Sequence, residues 1–115
     1  MFELGRNKIF RGKREFNRVY SKGRSLSNRE IVIYVLEDEN LRGKVGFAAG
    51  KKLGCAVIRN RVKRLLREAY RLNQHNIKPN CALILMGRKN LVEAKCEVAI
   101  KSFCELCKRA KIWID

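Results

Sequence analysis

Over residues 55–72 the apolar positions recur with a helical period. At about 100° per residue, Ile58, Val62, Leu65, Leu66 and Ala69 share one face. Asn60, Lys63, Arg64, Arg67 and Arg71 lie on nearly the opposite face, with Arg59 and Arg61 flanking. This spacing predicts a helix with one side to bury and one crowded with cations. Phe16, Val19 and Tyr20 stand at i, i+3 and i+4, which predicts a short helix over 13–21, and Gly23 is a natural stop. Residues 31–36 form a continuous β-branched and aromatic run, a buried strand. Residues 44–49 read as a second strand, hairpinned to the first through the acidic turn Glu37-Asp38-Glu39-Asn40 and Gly43. After a connector over 73–80 that holds the only proline, Pro79, residues 81–86 predict another buried strand. Val92, Cys96, Ile100, Phe103 and Cys107 then mark a final amphipathic helix.

The order is helix, two strands with room for a short third, helix, strand, helix. No repeat, low-complexity tract or linker interrupts it. A single domain spanning residues 1–115 is expected, of α+β class: a two-layer αβ sandwich with three helices on a small mixed sheet.

Charge sharpens the picture. The chain carries 27 Lys and Arg against 11 Asp and Glu, a net charge of +16. Residues 59–71 alone hold six Lys or Arg and one acid, Glu68. Like charges at i,i+4, such as Lys63 with Arg67 and Arg67 with Arg71, destabilise a helix, and a polyanion offsets that cost. A merely solvated basic face ordinarily alternates signs, and this one does not. Residues 6–24 are a second basic block, with eight Lys or Arg and only Glu15 opposing them. The partner expected is nucleic acid. No membrane is expected, since no apolar run approaches the ~20 residues of a spanning helix. The first residues lack the apolar core of a signal peptide, so cytosol is the default.

Side-chain catalysis finds little support, and no catalytic residue is assigned. His75 is the only histidine and lies in a polar connector. Of the five cysteines, Cys104-x-x-Cys107 has zinc-like spacing but no second pair, so most are read as small hydrophobes and no protein-held metal is expected. Residues 50–54, GKKLG, run into the basic helix, and two readings stand: a phosphate cradle at a helix N-terminus, with Lys51 and Lys52 adding charge, or a plain strand-to-helix turn. Phe16, Tyr20 and Tyr34 likewise allow two readings, core packing or a platform for unpaired bases. Tyr34 alternates onto the strand face of Val32 and Leu36, opposite Ile31, Ile33 and Val35.

Residues 45–71, VGFAAGKKLGCAVIRNRVKRLLREAYR, strongly resemble the signature of the bacterial ribonuclease P protein family. Phe16, Val19, Tyr20 and Gly23 match its upstream pattern, and the likeness covers nearly the whole chain. The resemblance implies a small basic cofactor of a catalytic RNA, which cleaves the 5′ leader from precursor tRNA, with Mg2+ bound mainly by the RNA and substrate. It implies that Arg59, Asn60, Arg61, Lys63, Arg64, Arg67 and Arg71 contact the catalytic RNA. Phe16, Tyr20 and Tyr34, with Lys51 and Lys52 at the rim, would hold the single-stranded leader. It implies a left-handed βαβ crossover and a metal-binding role for the 37–39 turn, and the protein alone is expected to be an inactive monomer. Two positions depart from the family pattern. Gly50 replaces the usual Ser or Thr, and Cys55 stands where Asn or Asp would cap the basic helix.

Overall fold

Strand β4 (Cys81–Gly87) organises the molecule, because CALILMG has no polar side chain and only a strand covered on both faces can bury such a run. The computed structural model describes residues 9, 10 and 12–114. Three of the N-terminal cations, Arg6, Lys8 and Arg11, lie outside the described residues. The elements are α1 (Lys13–Lys22), β1 (Arg24–Ser27), β2 (Ile31–Glu37), β3 (Val45–Ala49), α2 (Ala56–Asn73), β4 and α3 (Cys96–Arg109). Short 3-10 turns at Glu39–Leu41, Lys51–Leu53, Gln74–Asn76 and Lys89–Leu91 connect them.

The sheet order is β1-β2-β4-β3. The hairpin expected between β2 and β3 does not form. Both strands pair with β4 instead, β2 antiparallel with Ile33 opposite Leu85, and β3 parallel with Phe47 opposite Leu85. The longer apolar strand β4 lies between β2 and β3. A parallel β3–β4 pair needs a crossover, and α2 supplies it. The short extra strand is β1, paired antiparallel to β2 with Leu26 opposite Ile33.

Alternation splits the sheet into two faces. Ile31, Ile33, Val35, Val45, Phe47, Leu83 and Leu85 point to one side and form the main core with Val62, Leu66, Phe103 and Leu106 from α2 and α3. The approach of α2 to β4 is close: a Cβ on Gly87 would stand 2.3 Å from Cγ1 of Val62. Phe10, Val19, Leu41, Ala82 and Ile84 form a second cluster on the other face, beneath α1. Helix α3 starts at Cys96 rather than at Val92, because the chain turns tightly through Lys89–Leu91 and Ala94 N–H donates to Leu91 O at 3.1 Å.

Among the cysteines, Cys81 and Cys107 are buried, Cys96 and Cys104 half-buried, and Cys55 exposed; all are free. Burial raises the Cys107 and Cys81 thiols above their usual range. Among the described residues no three His, Cys, Asp or Glu side chains gather around a possible metal position. Among the described residues no helix is long and apolar enough to cross a membrane.

Candidate nucleic-acid interface

Helix α2 divides as its periodicity requires. Val62, Leu66, Ala69 and Tyr70 are buried, while Asn60, Lys63, Arg64 and Arg67 are exposed. The Arg67 guanidinium lies 5.7 Å from the Phe47 ring centroid, which fixes one cation over an aromatic face. The seven α2 residues singled out by sequence do not share one environment. Arg61 reaches across to the turn before α3, where its guanidinium donates to the carbonyls of Val92 and, at 3.0 Å, Ala94. Arg71 forms a two-pronged pair with Glu68, one turn earlier on the same helix. Arg59 is half-buried, and its Nε is sealed from solvent without a hydrogen-bond partner. Asn60, Arg61, Lys63, Arg64 and Arg67 are therefore exposed, and of these Arg61 is also tied to backbone carbonyls. Arg61 clamps α2 to the α3 entrance, and Arg61→Ala should lower stability by about 1–2 kcal/mol. Chemical denaturation reads that loss, and an unchanged midpoint would remove the clamp.

No side chain caps the start of α2: Cys55 occupies the cap position without a cap hydrogen bond. The amides of Ile58 and Val57 nonetheless hold its thiol below the usual range. Gly50 precedes the Lys51–Leu53 turn, also without a side-chain cap, and both lysines are exposed. Two exposed lysines thus stand between the end of β3 and the start of α2.

On the opposite face of the sheet, α1 lies across β2 and β4 and meets a floor of small and aromatic groups. Phe10 and Phe16 pack edge-to-face at 5.5 Å, Phe16 and Tyr20 at 6.1 Å, and Tyr20 and Tyr34 edge-to-face at 4.7 Å. Gly46 makes the floor deep: a Cβ there would stand 2.6 Å from the Phe16 ring. Phe16, Tyr20 and Tyr34 are each half-buried, so they both pack and present an edge to solvent. The two readings of these aromatics are therefore compatible. Burial, then the neighbouring Tyr34, raises the Tyr20 phenol. Val32, Ala48 and Met86 continue the same face toward the Lys51 end and are also half-buried.

Two ion pairs hold α1 over this floor. Lys44 Nζ meets Glu15 at 3.0 Å, and Arg18 Nε meets Asp38 at 2.7 Å. The acidic turn is thereby committed. Asp38 also accepts the Asn40 amide, and that bond first, then Arg18, keeps its carboxyl below the usual range. Glu39 lies 3.8 Å from Arg42. Through Asp38 the turn anchors α1.

Sequence reasoning took residues 87–90 for a basic turn and nothing more. Register places that turn at the Lys51 end of the sheet, since Ala49 and Ile31 both lie opposite Gly87. Lys52, Lys89 and Asn90 line a shared cleft of about 440 Å3. Phe10 was also missed; an aromatic among N-terminal cations gave no periodic signal. His75 lies exposed in the Gln74–Asn76 turn, away from all of these groups.

A family model described as Ribonuclease P matches residues 4–111. The ribonuclease P protein component of Natranaerobius thermophilus is 43% identical, over 85% of this chain and 85% of that one. That of Clostridioides difficile is 37% identical, over 97% and 99%. Among solved structures, the Staphylococcus aureus RNase P protein superposes with a TM-score of 0.81 at 28% identity, covering 92% of this chain and 97% of that one.

Proposed function

The chain belongs to the ribonuclease P protein family, and we propose that it is the subunit that presents precursor tRNA to a catalytic RNA for removal of the 5′ leader. The observation that carries this reading is the separation of two nucleic-acid surfaces by one sheet. Half-buried Phe16, Tyr20 and Tyr34 form an aromatic floor on one face, with Lys51 and Lys52 at its end. Asn60, Lys63, Arg64 and Arg67 face outward from the helix packed on the other.

The chemistry follows from those groups. Unpaired leader bases stack on the aromatic edges, and Lys51 and Lys52 neutralise the adjoining phosphates. The α2 cations bind the backbone of the catalytic RNA, releasing counterions and lowering the magnesium that RNA needs to fold and react. Mg2+, held by the RNA and substrate when bound, would supply the metal-hydrolysis chemistry. This chain supplies binding and charge, and none of its side chains touches the reacting atoms.

Reconstitution tests the reading. The protein alone should leave precursor tRNA intact, and adding it to the matched RNA should restore cleavage at low magnesium. Cleavage by RNA-free protein would reject it, as would binding to ribosomal RNA with no effect on tRNA maturation. Tyr34→Ala tests the floor. Losing one stacking contact should weaken leader-bearing precursor by about 1–2 kcal/mol, roughly 5- to 30-fold. Mature tRNA should bind as before, and equal losses on both would remove the leader from this trough.

A further inference from the structure

The end of the sheet remote from Lys51 and Arg88 holds a cleft of about 500 Å3 that neither surface above uses. Its walls come from segments far apart in the chain: the turn before β3, α2, the two turns leading into β4, and the residues after α3. Backbone bonds join them. Lys78 N–H donates to Ile112 O at 2.9 Å, and Ile114 N–H donates to Asn76 O at 2.6 Å. Ile77 bridges to Trp113 in the same seam. The cleft is thus built by the fold rather than by a loose loop.

Its chemistry is layered. Arg42 and Lys78 are exposed on its rim, and among the described residues no Asp or Glu lines it. The Arg42–Glu39 pair is 3.8 Å long with both side chains more than half exposed, a contact of little energy. Pro79 and Ile114 supply apolar walls. At the back stands Tyr70, only 5% exposed, near the thiols of Cys81 and Cys107. Among the described residues its hydroxyl has no hydrogen-bond partner. Burial pushes that phenol up to about 12, so it is a donor at physiological pH. The phenol is thus a hydrogen-bond donor offered to a ligand in the cleft.

We propose that this cleft binds one nucleotide, with its phosphate on Arg42 and Lys78, its base between Pro79 and Ile114, and a base acceptor on the Tyr70 hydroxyl. The volume falls within the roughly 300–1,000 Å3 of small-ligand sites. The order of charge, apolar wall and buried donor matches the order of phosphate, flat ring and polar edge in a nucleotide. An inorganic anion makes no use of the Tyr70 donor, and an apolar ligand leaves the cations unused. The nucleotide is either a free mononucleotide or an unpaired residue of RNA; only the second source rests on the function proposed above.

Amide NMR of the full-length protein tests the cleft, with adenosine 5′-monophosphate, adenosine and inorganic phosphate titrated at matched ionic strength. The monophosphate should shift Ile77, Cys81 and Ile114 and bind about fivefold or more tighter than either fragment, the worth of one added contact. Tyr70→Phe keeps the ring and the packing, and should weaken that binding by about fivefold. Arg42→Ala with Lys78→Ala should weaken it at least as much. Shifts confined to the Tyr34 trough, or phosphate binding as well as the nucleotide, would overturn the proposal. Given nucleotide binding in the cleft, Tyr70→Phe in the reconstituted complex assigns the source. Weaker RNA binding identifies an RNA residue, and unchanged RNA binding identifies the free mononucleotide. A failed reconstitution bears on the proposed function, while the titration still decides the cleft.

Discussion

Replacing Lys63, Arg64 and Arg67 together by Ala should weaken binding to the catalytic RNA by roughly two orders of magnitude. The three side chains face outward from α2, and among the described residues none is paired to an acid. Each phosphate contact is worth about 1 kcal/mol at moderate salt, so three lost contacts give about 3 kcal/mol, or roughly 150-fold. The salt dependence separates this from misfolding. With three fewer phosphates neutralised, the log–log slope should flatten by about 2 to 3. Arg71→Ala, by contrast, removes a cation already paired with Glu68 and should change both affinity and slope less. Filter binding or fluorescence titration between low and moderate salt measures both quantities. A triple variant with an unchanged slope would show that this face does not meet phosphate. A further control is the fold itself: these side chains contribute little to the core, so the melting temperature should hold.

Phe103→Ala should have the largest effect on stability. Its ring is fully buried on α3 and sits 6.0 Å from Tyr70, which in turn meets Phe47 at 6.1 Å. This aromatic row joins α3, α2 and β3 across the main core. Truncating a buried Phe costs about 3–5 kcal/mol, because apolar transfer energy is lost and a cavity remains. A domain of this size has only about 5–15 kcal/mol in total. The melting temperature should therefore fall by more than about 10 °C. Urea unfolding with unchanged m-value checks that the loss is one of packing. A drop of only a few degrees would mean that Tyr70 and Leu106 collapse into the space. At +16 the native state also repels itself, so added sulfate should raise the midpoint of wild type and variant alike.

The two surfaces differ in how far their residues could be read from the chain. On α2 the 3.6-residue period separates Val62 and Leu66 from Lys63 and Arg67, and the structure keeps that division. The trough was legible only in pieces. Phe16 and Tyr20 share a helix face, and Tyr34 shares a strand face with Val32, but their meeting at 4.7 Å depends on where α1 docks. The tyrosines serve packing and exposure at once, which no local pattern encodes.

Local periodicity determined the helices, the strands and the basic side of α2, because those depend on neighbours within a few residues. The charge excess, being a sum, was equally plain. Tertiary structure alone decided the rest. It placed β4 between β2 and β3, since the central position goes to whichever strand can be covered on both faces. It joined Arg61 to carbonyls 31 and 33 positions away, tying an exposed cation of α2 to the turn before α3. It also set the Tyr70 side chain at the back of a cleft rimmed by Arg42 and Lys78. Pairings of that kind follow from the competition of distant groups for one another, and a sequence states the competitors without stating which of them meet.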